Sequence, residues 1–121
     1  MPIRWQVNVT VPSEAGGSSL SDAADFQGGA TYMGLLLPAT WATAHISFQV
    51  GNTIDGTFYD LYNEAGTEVK ISGADATQRI RSLNALIPYL SQFRFVKVRS
   101  GVTGAHTDQT TSKTLTFLFE R

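Results

Sequence analysis

Cysteine is absent from the 121-residue sequence, which removes disulfides, thiolate metal sites and cysteine nucleophiles together. Charge is scarce as well. Acidic and basic residues make up 16% of the chain, and the formal net charge is -1; soluble domains usually carry roughly 25%. A chain so nearly neutral does not bind by neutralising many phosphates, so nucleic acid is not an expected partner. No apolar run approaches the roughly 18 residues that span a bilayer, so no membrane partner is expected. The opening Met1-Pro2-Ile3-Arg4-Trp5 has neither the basic region nor the apolar core of a signal peptide, and the expectation is synthesis in a cytoplasm without export.

Signatures of chemistry are equally thin. The two histidines, His45 and His106, stand in no metal-ligand spacing. Gly16-Gly17 and Gly28-Gly29 lack the Lys-Ser/Thr that completes a phosphate loop, and no GxSxG nucleophile elbow is present. Asp55, Asp60 and Glu64 cluster around one hairpin. Calcium ligation or a glycosidase carboxylate pair competes there with the simpler task of supporting turns, and we read them as turn residues. The expectation is a protein that is not an enzyme and that uses no cofactor or metal.

Thr, Ser, Gly, Ala and Gln fill the place of the missing charges. Such a hydroxyl-rich surface is commoner in packed assemblies than on free enzymes. The length allows one domain over residues 1–121, burying roughly two-thirds of its unfolded surface.

The strongest pattern comes first. Ile3, Trp5, Val7, Val9 and Val11 alternate with Arg4, Gln6, Asn8 and Thr10, a half-buried strand that Pro12 ends. Residues 13–30 are small and polar, with Leu20 and Phe26 as anchors. They read as a long loop, either a loose surface connection or a segment ordered by a neighbour. Residues 31–37 read as a buried strand closed by Pro38, with a turn at 40–43. Residues 45–72 read as three consecutive antiparallel strands, joined through Asp55-Gly56 and Asn63-Glu64-Ala65-Gly66. Asp75 with Gln78 resembles a helix start, and Ile80, Leu83 and Ile87 keep helical spacing up to Pro88; a short helix and a structured loop both fit. Phe93 to Arg99 is a strand ended by Ser100-Gly101, residues 103–113 are a Thr-rich loop, and Leu115, Phe117 and Phe119 mark the last strand. Arg79, Arg81, Arg94, Lys97 and Arg99 concentrate in one region, but alternation sets Arg94 opposite Lys97 and Arg99. A solvated strand face and an anionic-partner surface are both open. The sum is an all-β fold, a jelly-roll-like antiparallel β-sandwich of about seven or eight strands with at most one short helix.

Leu36-Leu37-Pro38-Ala39-Thr40-Trp41, Ile46-Ser47-Phe48-Gln49-Val50, Asp55-Gly56-Thr57-Phe58-Tyr59-Asp60-Leu61-Tyr62 and Arg94-Phe95-Val96-Lys97-Val98-Arg99-Ser100-Gly101 form a set. It resembles small virion-associated proteins of tailed bacteriophages, in which an LP-x-x-W turn precedes such strands and an RF-[VI]-K-[VIL]-RSG strand follows. The likeness covers about residues 35–119. The RFVKVRSG strand is also similar to one in discoidin-like, galactose-binding-type jelly rolls. The resemblance implies a virion structural protein, either a capsid decoration (cement) protein or a head-fibre or tail component. As a decoration protein it would bind the major capsid protein, as a homo-oligomer with a trimer favoured. Loops carried on a rigid sandwich are the expected contact segments: Leu20, Asp25 and Phe26 in 13–30, His106 in 103–113, with Trp41 and Arg99 beside them. The alternative is a module that binds a host-surface carbohydrate, with Trp41, Tyr59 or Arg99 near a shallow site.

Overall fold

The computed structural model describes residues 2–13 and 18–121. Positions 14–17, including the Gly16-Gly17 pair, lie outside them. In chain order the strands are β1 Arg4–Val11, β2 Ala24–Asp25, β3 Tyr32–Leu36, β4 Ala44–Gly51, β5 Tyr59–Asp60, β6 Lys70–Ala74, β7 Ile80–Ser82, β8 Phe95–Val102, β9 Ala105–His106 and β10 Lys113–Glu120. A 3-10 turn over Asn84–Leu86 leads into a helix, α1, Ile87–Leu90. No described helix is long and apolar enough to cross a membrane.

The strands form two sheets, all of whose pairings are antiparallel. The first has the order β1-β10-β3-β7; the second has β2-β8-β4, with β5 and β6 on the far side of β4. The chain changes sheet at six of its nine strand-to-strand steps, in the manner of a jelly roll. The alternation in β1 works as its sequence demands: Val9 and Val11 are buried between the layers, and Gln6, Asn8 and Thr10 face water. Leu35, Leu115 and Phe117 from the first sheet meet Ile46, Phe48, Val96 and Val98 from the second, all fully buried. Phe117 is the hinge of this core, with the ring of Phe26 at 5.0 Å and that of Phe48 at 6.4 Å.

Four expectations need correction, and a fifth holds with a different pairing. The 13–30 segment is not a projecting loop, because its described part runs along the edge of β8. The Ser21 N–H donates to the Val98 carbonyl at 2.8 Å, the Ser100 N–H to Ser19, and the Phe26 N–H to Arg94. Its serines supply edge hydrogen bonds without any apolar alternation, so the strand signal is silent there. Residues 45–72 do supply three consecutive antiparallel strands, but the third, β6, pairs with β4 and not with the second strand. Both β5 and β6 pair with β4, on its two halves, while Tyr62 and Glu68 bridge across a small excursion between them. The helical spacing of Ile80 and Leu83 is coincidental: Ile80 is in β7, paired with Leu36. Asp75 makes a local turn, accepting the Thr77 N–H at 2.9 Å. The helix comes later, with Pro88 inside its first turn, where a missing N–H costs nothing. Strand β8 continues through Ser100-Gly101. Gly101 has φ +105°, and a Cβ there would meet the backbone of Ala105, His106 and Thr107 at 2.6–2.7 Å. That conformation folds β9 back onto β8, so residues 103–113 also lie down on the sheet. They are fixed by Gln109, whose buried amide donates to the Ala42 carbonyl and accepts the Ala42 N–H.

Candidate functional site

Strand parity sets Arg99 on the outer face of the second sheet, yet only 6% of its surface is exposed. The excursion between β5 and β6 and the turn after β8 cover it. Its Nε donates to Ser47 Oγ at 2.9 Å, Nη1 to Asp60 at 2.9 Å, and Nη2 to Glu68 at 3.0 Å and Thr103 Oγ1 at 2.9 Å. Ser47 in turn donates to the Gly101 carbonyl, and the Thr103 hydroxyl donates to Glu68 at 2.6 Å. Four of the five N–H directions of the guanidinium are therefore engaged within the chain, and the buried side chain presents little of itself to a partner. Asp60 belongs to this network and does more than support a turn. Among the described residues no three His, Asp or Glu side chains converge on a metal position.

The network has a pH signature. Burial pushes the Asp60 carboxyl up, but hydrogen bonds from Arg99 and Gln49 and the Arg99 charge outweigh it, holding the group below its ordinary range. A carboxyl depressed in the folded state adds stability above its unfolded value, about 3.9, and loses it as pH falls through the folded value. Asp25 is held low in the same sense by the Arg94 hydrogen bonds, but that pair is solvent-exposed and adds little. Urea midpoints should therefore be flat from pH 7 to about 5 and fall below about 4. Asp60→Asn should lower the neutral plateau and flatten the acid limb; an acid limb as steep as that of the parent chain would remove Asp60 from the account.

The expected contact residues separate widely. Phe26 and Trp41 are core side chains, 2% and 3% exposed. Trp41 closes one end of the sandwich above a turn in which its N–H donates to Pro38, and its indole nitrogen finds no acceptor among the described residues. Leu20 is half-buried and bridges to Arg99; Asp25 is engaged by Arg94 at 2.8 Å. Of the six, His106 alone is fully on the surface, in β9. Trp41, Tyr59 and Arg99 do not converge on one shallow site, because two of them are interior. Tyr59 instead lines an open cleft of about 390 Å³ with Tyr62, Asn52, Thr57 and Phe93.

A larger concavity lies on the outer face of the four-stranded sheet. Register places Gln6, Leu118, Gly34 and Ser82 in one row across all four strands. Tyr32 stands on one side of Gly34 and Ile80 on the other, 56% and 69% exposed. The groove between them has a volume of about 690 Å³. Its floor is low because Gly34 has no side chain, and neither strain nor crowding demands that glycine. A Cβ there would make only an ordinary 3.5 Å contact with the Arg81 carbonyl, and φ is not positive. A glycine inside a central strand weakens the sheet and often marks close approach of something else. The charges at the rim are already occupied: Arg4 pairs with Glu120 at 2.7 Å, and Arg81 donates to the Ser72 carbonyl. What remains is a trough with an apolar floor, an aromatic wall, an amide and a hydroxyl at its ends, and Arg81 as the one uncompensated charge of its lining. That composition suits contact with a protein surface. A partial signal for it existed in the sequence: Leu118 is an apolar residue on the polar side of its strand.

No family model matches the chain, and no curated protein matches it. Among solved structures it is similar to the crystal structure of the SPBc2 prophage-derived protein YomS, over 98% of this chain and 96% of that one. The identity is 11% and the TM-score 0.49.

Proposed function

We propose that the chain is a non-enzymatic structural protein of a tailed-bacteriophage particle, binding the assembled head as a capsid decoration protein. The observation that carries this reading is the groove over Gly34, a largely apolar trough between Tyr32 and Ile80 on a regular sheet. The sequence resemblance over residues 35–119 supplies the kind of partner, the major capsid protein. Fold alone would not. The groove would take an apolar or aromatic projection of the shell at its centre, with Gln6 and Ser82 hydrogen-bonding at its rim. A module that binds assembled shell better than free subunits stabilises the shell by mass action.

Gly34→Val is the test, because it fills the groove without forcing the backbone. A valine there should raise folding stability by about 0.5–1 kcal/mol, the usual cost of glycine inside a strand. Co-sedimentation with heads stripped of the protein should fall at least tenfold in affinity. Unchanged co-sedimentation would reject this face as the contact. Recognition of a host-surface glycan has a different footprint, the Tyr59 and Tyr62 cleft, where two exposed tyrosines offer stacking faces. Tyr59→Ala abolishes glycan-array binding on that reading and leaves head binding unaltered on the first.

A further inference from the structure

Strand β1 ends the first sheet, with β10 on one side of it. Ile3 exchanges both main-chain hydrogen bonds with Arg121, at 2.7 and 2.9 Å, so the odd positions of β1 turn their N–H and C=O toward β10. The even positions Arg4, Gln6, Asn8 and Thr10 turn theirs away, and among the described residues nothing pairs with that edge. Free edges are normally blunted by shortness, bulges, proline or lysine. The other terminal strands follow this rule, β7 with three residues, β2 and β5 with two each, and β6, with five, through Lys70 and a broken register against β4. β1 does not: its register with β10 is unbroken over eight residues, and no proline or lysine interrupts it.

The inward side is open along the same edge. Val9 and Val11 are fully buried, whereas Trp5 and Val7, on the same face, are half-buried. The apolar layer stops short just where the sheet stops.

We infer that β1 pairs with β1 of a second copy, antiparallel about a two-fold axis through Val7, making one continuous sheet from two sandwiches. The chemistry of the edge is self-complementary in that register. Gln6 falls opposite Asn8 of the second copy and Arg4 opposite Thr10, both as hydrogen-bonded pairs, giving about eight main-chain hydrogen bonds. The inward residues fall at the closer, non-hydrogen-bonded positions: Val7 meets its own symmetry mate, and Trp5 meets Val9. No like charges are opposed, since Arg4 is the one charged residue of the strand and is neutralised by Glu120. An isologous contact of this kind closes on itself, so the assembly is a dimer, in contrast to the trimer that the sequence resemblance favours. The row through Ser82, Gly34, Leu118 and Gln6 then continues into Asn8 of the second copy, joining two grooves on one face. The pairing stands independently of what those grooves hold.

Sedimentation of the full chain at tens of micromolar tests it. The parent chain should run as a dimer, and the amides of Gln6, Asn8 and Thr10 should be protected from hydrogen exchange. Gln6→Lys with Asn8→Lys opposes two lysines twice over and should give a monomer that still unfolds cooperatively, with a melting temperature that no longer depends on protein concentration. Gln6→Lys with Asn8→Glu places opposite charges across the axis and should restore the dimer, a result no other register produces. A monomeric or trimeric parent chain, or a dimer that survives the double lysine change, overturns the inference.

Discussion

Replacing Arg99 by methionine should lower the free energy of unfolding by about 3 kcal/mol. The methionine keeps the apolar stem against the sheet and removes the cation. Asp60 and Glu68 then face each other with nothing between them, and Ser47 and Thr103 lose a donor. Removing one partner of a buried ionic group typically costs about 3–5 kcal/mol, because the other charge is left desolvated. The lower end applies here, since the Asp60 side chain keeps 28% of its surface in water and can rehydrate. The same physics predicts a rescue. Adding Asp60→Asn and Glu68→Gln to Arg99→Met removes the stranded charges and should recover most of the loss. Urea unfolding of the three variants decides it. A loss below about 1 kcal/mol for Arg99→Met would mean that the residue behaves as an exposed surface arginine and is free to meet a partner.

Phe26→Ala should be comparably damaging, at about 3–5 kcal/mol, the range for deleting a buried phenylalanine ring. Phe26 packs its ring against Phe117 at 5.0 Å and Phe119 at 5.2 Å, so truncation opens a hole between the two sheets. A domain whose whole stability is about 5–15 kcal/mol would be left close to its threshold. Head binding should fall only as far as the folded fraction falls. Stability within about 1 kcal/mol of the parent, with head binding lost, would return Phe26 to the role of a contact residue.

These two residues show where the sequence speaks and where it stops. The alternation in β1 and β10 is legible because one face of each strand reaches water, and period and burial then coincide; in β4 the polar alternation survives although Ser47 on that face is covered. Parity also places Arg99 correctly on the outer face. It cannot reveal the cover, because Asp60 and Glu68 arrive from 39 and 31 positions away. Phe26 and Leu20 are visible as anchors in a polar segment; that they anchor inward follows from Ser19 and Ser21 hydrogen-bonding the β8 edge, a pairing with no apolar rhythm to announce it. Ile80 misleads because three-residue spacing to Leu83 looks helical, while its true neighbour is Leu36 across the sheet. The groove is the subtler case. Gly34 inside a strand and Leu118 on a polar face are each unremarkable alone, and only the register of β3 with β10 sets them side by side.

Cryo-electron microscopy of tailed-phage particles that carry the chain tests the proposed role most directly. The account predicts sandwich density repeated on the head lattice, with Tyr32, Gly34 and Ile80 turned toward the shell and the Tyr59 cleft turned away. Density confined to fibres or tail, or a head-bound sandwich with that face exposed to solvent, would contradict it.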